Sequence, residues 1–261
     1  MLFLLSPAKT LDFSPAPEDL PATKAELSAD TAKLAAVTRK LKPADLRRLM
    51  DISEPLAELN VKRFKAFKPR AQVGVQAALA FAGDVYIGLR AREFDAETLD
   101  WAQDHLRILS GLYGVLRPLD RIQPYRLEMG TRLPTERGES LYDFWGDRVS
   151  KALNRAVRGQ PDRTVVNLAS QEYFGAVDTK ALKSPIVTCQ FKEEKDGEAR
   201  ILAFFAKSAR GMMARYAIEH RLERAEDLKG FDSAGYRFRP ALSDPATWVF
   251  TRPQPPLKTQ A

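Results

Sequence analysis

The stretch Leu109–Pro118, LSGLYGVLRP, sets Gly111 and Gly114 in an apolar run, and Arg117, Arg121 and Arg126 follow. Glycines between two helices would open a tight hairpin with unshielded backbone N–H groups. A phosphate could approach such groups closely. This is the physics of a helix-hairpin-helix element on nucleic acid. The usual hairpin has a single apolar residue between its glycines, whereas Leu112 and Tyr113 both stand between these. A helix C-cap at Gly111 followed by a packed turn accounts for the same residues.

Other constellations could bind an anion or move a proton. PYRLEMG (124–130) puts Arg126 and Glu128 on one side of an extended chain, as a structural ion pair or a site pair. SPAKT (6–10) follows an apolar run directly, and loops at strand ends commonly form sites, so Lys9 is a candidate anion binder. It lacks the glycines of a Walker loop. NLASQEY (167–173) offers either a capped helix start at Ser170 or a polar site of Asn167, Ser170 and Glu172. In KSARGMMARY (207–216), Lys207 and Arg210 share a helical arc with Arg221 and Arg224, a ridge suited to a phosphate backbone.

The net charge of +7 supports a polyanion partner. Lys62, Arg63, Lys65, Lys68 and Arg70 form one acid-free cluster, and the arginines of 105–132 and the cations of 207–224 form two more. Solvated helix faces are the alternative for each. The two histidines, His105 and His220, lie far apart, and Cys189 is the single cysteine. No metal site and no cofactor are expected, and no disulfide can form within the chain. Nothing marks a nucleophile–histidine hydrolase. No apolar run approaches the roughly 18 residues of a membrane helix. The start, MLFLLSPAK, lacks the features of a secretory signal. The expectation is a cytoplasmic monomer.

The elements that must hold these residues follow from pattern. Leu2–Leu5 and Thr164–Leu168 read as buried strands, and Val85–Leu89 as a strand or strand-like turn. Helices are predicted over Asp95–Leu109, Glu139–Val157 and Ser208–Leu222, with a short one over VLRPLDRI (115–122). Ile186–Lys192 and Ala199–Phe205 read as strands joined at Asp196-Gly197, a strong hairpin signal. Tyr236–Phe238 and Thr247–Thr251 complete the strands. No regular βαβ alternation emerges. The prediction is one mixed α/β (α+β) domain over 1–252, with a mixed sheet, surrounding helices and a basic cleft, and a flexible tail over 253–261.

Six runs together carry a resemblance: SPAKTLDF, FAGDVYIGL, HLRILSGLYGVLRPLDRIQPYRLEMG, LYDFWGD, VNLASQEYF and KSARGMMARYAIEHRL. They resemble the bacterial YaaA family of peroxide-stress proteins, from Met1 to about Phe238. The resemblance implies a cytosolic protein that limits iron-driven DNA damage, and DNA binding through a helix-hairpin-helix element and a basic cleft. The DNA partner is expected to be held without reading sequence, in duplex, non-duplex or branched form. The hairpin would be Ser110–Gly114, with Arg107, Arg117, Arg121 and Arg126 in the same block. Lys9, Lys207, Arg210 and Arg215 match other blocks. No catalytic set is carried over. An enzyme acting on a nucleotide or other phosphorylated substrate through Lys9, Arg126, Glu128 and Asn167 is the alternative class.

Overall fold

The computed structural model describes residues 1–17, 20–69 and 71–256. In chain order its strands are β1 (Leu2–Leu5), β2 (Thr10–Leu11), β3 (Val75–Gln76), β4 (Phe81–Ala82), β5 (Leu106–Ser110), β6 (Gly114–Leu116), β7 (Arg121–Ile122), β8 (Val165–Asn167), β9 (Ile186–Lys195), β10 (Glu198–Arg200), β11 (Arg237–Phe238) and β12 (Thr247–Pro253). The helices are α1 (Ser28–Thr38), α2 (Pro43–Met50), α3 (Glu54–Ala66), α4 (Ala77–Ala80), α5 (Asp84–Leu89), α6 (Ala96–His105), α7 (Leu141–Trp145), α8 (Arg148–Ala156), α9 (Gln171–Phe174) and α10 (Ala203–Glu219).

The main sheet runs β11-β12-β9-β8-β1-β5-β6, with β10 paired to β9. Its five central strands, β12, β9, β8, β1 and β5, are mutually parallel. LFLL forms an interior strand between β8 and β5 and is buried along its whole length, as a strand covered on both faces must be. The fold is a single mixed α/β architecture around one continuous core, as the patterning implied. The Asp196-Gly197 turn also forms as read, with both residues at positive φ (53° and 80°).

Several expectations change. The expected Asp95–Leu109 helix ends at His105, and Leu106–Ser110 is strand β5. Five consecutive residues there are buried, and Phe3 and Leu5 pair in register with Leu106 and Ile108, so sheet packing overrides the helical pattern. The glycine turn therefore joins two antiparallel strands, β5 and β6, and no second helix follows. The helix-hairpin-helix reading is corrected on this geometry. Val85–Leu89 lies in a helix rather than a strand, because Gly88 and Gly211 let α5 and α10 meet backbone to backbone. A Cβ at Gly211 would stand 1.8 Å from the Val85 carbonyl oxygen. The single helix expected over Glu139–Val157 breaks at Gly146 into α7 and α8. Phe204 and Phe205 start α10 instead of extending a strand. That helix ends at Glu219, so Arg221 and Arg224 leave the basic ridge. Arg221 pairs instead with Glu97 at 3.2 Å and lies over the Trp101 ring. Pro253, the first residue of the expected tail, closes β12, and Gln254 N–H donates to Glu194 O at 2.9 Å. Residues 257–261 and Arg70 of the 61–70 cluster lie outside the described residues.

Cys189 lies in β9 within the core, and burial alone pushes its thiol up to about 12. The thiolate is the reactive form. Native protein at pH 8 is therefore expected to resist a maleimide, and denatured protein to take up one label per chain, as mass spectrometry would read.

Candidate functional site at the carboxyl edge of the sheet

The loops leaving the carboxyl ends of β1 and β8 lie side by side because those strands are neighbours. Such an edge is where open α/β sheets gather ligand-binding side chains. Ser6 leaves β1, and its Oγ accepts the Ser170 N–H at 2.8 Å. Its hydroxyl donates to Ser170 Oγ at 3.2 Å. Ser170 sits at the start of α9, but its side chain makes no cap bond and is spent on Ser6 instead. Asn167 ends β8, where Oδ1 accepts the Ala169 N–H at 2.9 Å and shapes the loop.

The segment after β7 closes the edge from the other side. Arg126 grips Glu128 Oε1 through Nη2 at 2.8 Å and Nε at 3.1 Å, so the two share a side as the extended reading requires. Lys9 reaches Glu128 Oε2 at 3.0 Å. One carboxylate thus holds two cations. Glu128 and Arg126 are under a fifth exposed, while Lys9 is 61% exposed. Glu172, from the start of α9, accepts the Gly130 N–H at 3.0 Å. Residues 9, 126, 128, 167, 170 and 172 come from three separate sequence blocks and meet on this one edge.

Gly111 explains how the segment is held. A Cβ there would lie 2.2 Å from the Leu127 carbonyl oxygen, so the glycine lets 126–128 lie directly against the β5–β6 turn. Gly114, at φ +72°, makes room for the Trp145 ring, whose indole N–H donates to Gly111 O at 3.0 Å. Both glycines are buried packing positions, so their N–H groups face no solvent.

The remaining cations divide into two sets. Lys207 lies 3.9 Å from Asp84, which follows Gly83, and Gly83 packs on Ala8 beside Lys9. Arg210 is the next turn of α10, and its Nε is buried with no hydrogen-bond partner. Desolvation lowers its affinity for the proton. The others are tied down. Arg107 is buried, donating to the Gln103 and Leu106 carbonyls at 2.8 Å, and burial lowers its pKa to about 10. Arg117 is locked on the fully buried Asp120 at 3.0 Å. Arg215 bridges Glu219 at 2.7 Å and Glu93 at 3.2 Å. Arg121 donates to Gln72 O at 3.1 Å, on the β3–β7 ladder.

Sequence reasoning missed the tyrosines beneath the edge. Tyr86 donates to Ser6 O at 3.0 Å, and Tyr125 shares a 2.6 Å hydrogen bond with Ser110. Burial pushes the Tyr86, Tyr125 and Tyr173 phenols well above their ordinary range. Tyr86 was concealed in a run read as a strand. Ser6 was within reach of the strand-end argument that picked out Lys9. His105 donates from Nδ1 to Met1 O at 3.1 Å and stacks on Trp101, far from this edge. Among the described residues no group of three or more His, Cys, Asp or Glu is placed to hold a metal ion, and no helix is long and apolar enough to cross a membrane.

The sequence model of the family described as "Peroxide stress protein YaaA" matches residues 1–242. The chain belongs to this family. It is similar to a UPF0246 protein of Caulobacter vibrioides (strain NA1000 / CB15N), at 65% identity over 98% of this chain and 100% of that protein. It is 64% identical to a UPF0246 protein of Phenylobacterium zucineum, over 98% of this chain and 96% of the relative. A third such protein, from Delftia acidovorans, is 56% identical over 97% and 98%. Family membership supports a role in peroxide stress, and the matched span includes every residue of the carboxyl edge.

Proposed function

We propose that the protein acts in peroxide stress by binding DNA through its phosphate backbone at the carboxyl edge, without reading sequence, and so limits iron-driven damage there. The observation that carries this reading is the meeting of Lys9 and Arg126 on Glu128, with Lys207 beside Asp84 and Arg210 one turn further along α10, in a chain whose net charge is +7. Two of these cations rest on Glu128 in the free protein. A phosphate arriving there competes with a carboxylate and finds a ready pair of donors. Phosphate contacts position a duplex without specifying its bases. The link to iron comes from the resemblance.

One observation favours a second reading. Glu128 is a partly buried carboxylate held between Lys9 and Arg126, and such a group can transfer a proton on a phosphorylated small molecule. Glu128→Gln separates the two. Under the DNA-binding reading it removes a negative charge beside the polyanion. Duplex affinity is expected to rise roughly fivefold, about 1 kcal/mol for one screened charge, and protection of cells from peroxide should persist. The measurements are a duplex titration and a complementation assay on the same variant, with a melting curve as fold check. Lost protection with fold and binding intact would establish acid–base chemistry instead.

A further inference from the structure

The opposite edge of the sheet holds a second basic site. Arg163 precedes β8, and Lys183 and Ser184 precede β9, so these residues lie at the amino ends of two parallel strands. Along α8 and just beyond it, Lys151, Arg155 and Arg158 recur at i, i+4 and i+7, which puts them on one helix face. Together with Arg163, Lys180 and Lys183 they line a groove of about 650 Å³ that has no carboxylate in its lining. Val157 and Ala181 are its apolar lining. Lys151 and Arg155 are paired, with Asp147 at 2.7 Å and Glu26 at 2.5 Å. Among the described residues, Arg158, Arg163, Lys180 and Lys183 are exposed and make no ion pair.

The groove is built rather than incidental. Asn154 donates to Ala181 O at 2.9 Å and accepts the Lys183 N–H at 2.9 Å. Ser150 donates to Asp178 O at 3.0 Å. These bonds clamp the 178–184 loop, with Lys180 and Lys183, to α8, and Arg158 and Arg163 line the same groove. Like charges kept together without counter-charges favour a polyanion. No aromatic side chain lines the groove, so no platform exists for stacking unpaired bases. No exposed large apolar residue lies in it, as a membrane-inserting surface would need. A run of phosphates along a duplex strand fits that combination.

We propose that this groove is a second docking site for duplex DNA, so that one chain holds two duplexes, one at each end of its parallel strands. The inference shares a ligand class with the proposed function but none of its residues. The test mixes the full chain at low salt with short duplexes carrying two different labels. It reads duplexes bound per chain and capture of one label by the other. The wild type is expected to bind two duplexes and to co-capture the labels. The combined variant Arg158→Gln, Arg163→Gln, Lys180→Gln and Lys183→Gln should bind one and lose co-capture. The companion variant Lys9→Gln, Lys207→Gln should leave the groove duplex in place. A wild type that binds one duplex, retained by the fourfold variant, overturns the inference. A folded fourfold variant that binds none would sustain the groove and overturn the carboxyl-edge reading. Acetylation footprinting of the wild type needs no variant: duplex DNA should shield Lys180 and Lys183, and unchanged reactivity there counts against the site.

Discussion

Duplex binding at the carboxyl edge is expected to weaken by roughly two orders of magnitude between about 50 and 200 mM salt. If Lys9, Arg126, Lys207 and Arg210 each meet one phosphate, the logarithmic salt slope is about −3.6, and a fourfold rise in salt lowers affinity about 150-fold. The effect arises because each neutralised phosphate releases condensed counterions, a release that costs more when the bulk already holds many. Sequence should matter little, since these donors are suited to phosphates. Isothermal or anisotropy titrations over a salt series read the slope directly. They are best made on the fourfold groove variant, which isolates this edge. A flat response, or no binding at the lowest salt, would remove DNA binding at this edge as the function.

Gly111→Ala is expected to destabilise the whole chain rather than to loosen a DNA contact. The added Cβ would stand 2.2 Å from the Leu127 carbonyl oxygen and 3.0 Å from its carbon, and both belong to backbone. The backbone cannot swing aside as a flexible side chain can, so the 126–128 segment must lift from the β5–β6 turn. Overpacking of this kind costs about 3 kcal/mol. For a chain of this size that is a fall of roughly 6–12 °C in melting temperature. The substitution also tests how the site is held, because the Arg126–Glu128 pair rides on the displaced segment. Thermal melting followed by circular dichroism is the measurement. A variant that melts like the wild type would show that the segment is not pressed against Gly111 in solution.

Much of the site was legible in the sequence because it rests on short-range chemistry. LFLL and TVVNL are apolar runs ended by polar residues, and any chain so built forms buried strands with reactive loops behind them. Lys9, Asn167 and Ser170 follow from that placement alone. The Arg126–Glu128 pair follows from a spacing of two in an extended segment. Asp196-Gly197 fixed its hairpin because few residues tolerate two successive positive φ angles.

What lay beyond the sequence depends on partners distant in the chain. Leu106–Ser110 carries a pattern that suits a helix or a strand, and only the vacancy beside β1 selects the strand. That selection turned a supposed phosphate-gripping hairpin into a buried β-turn. Gly111 and Gly114 announced a need for space, but not whether a phosphate, Leu127 or Trp145 would fill it. The arginines were equally mute about their partners. Arg117 and Arg215 have the same composition as free surface cations, yet Asp120 in one case and Glu93 with Glu219 in the other absorb their charge. The amino-edge groove shows the converse, since its cations are spread over residues 151–183 and become one site only when α8 and the 178–184 loop are clamped together. Local pattern therefore determined which segments would be strands with polar ends. Long-range packing decided which charges stay unpaired, because pairing depends on distances that the order of residues does not contain.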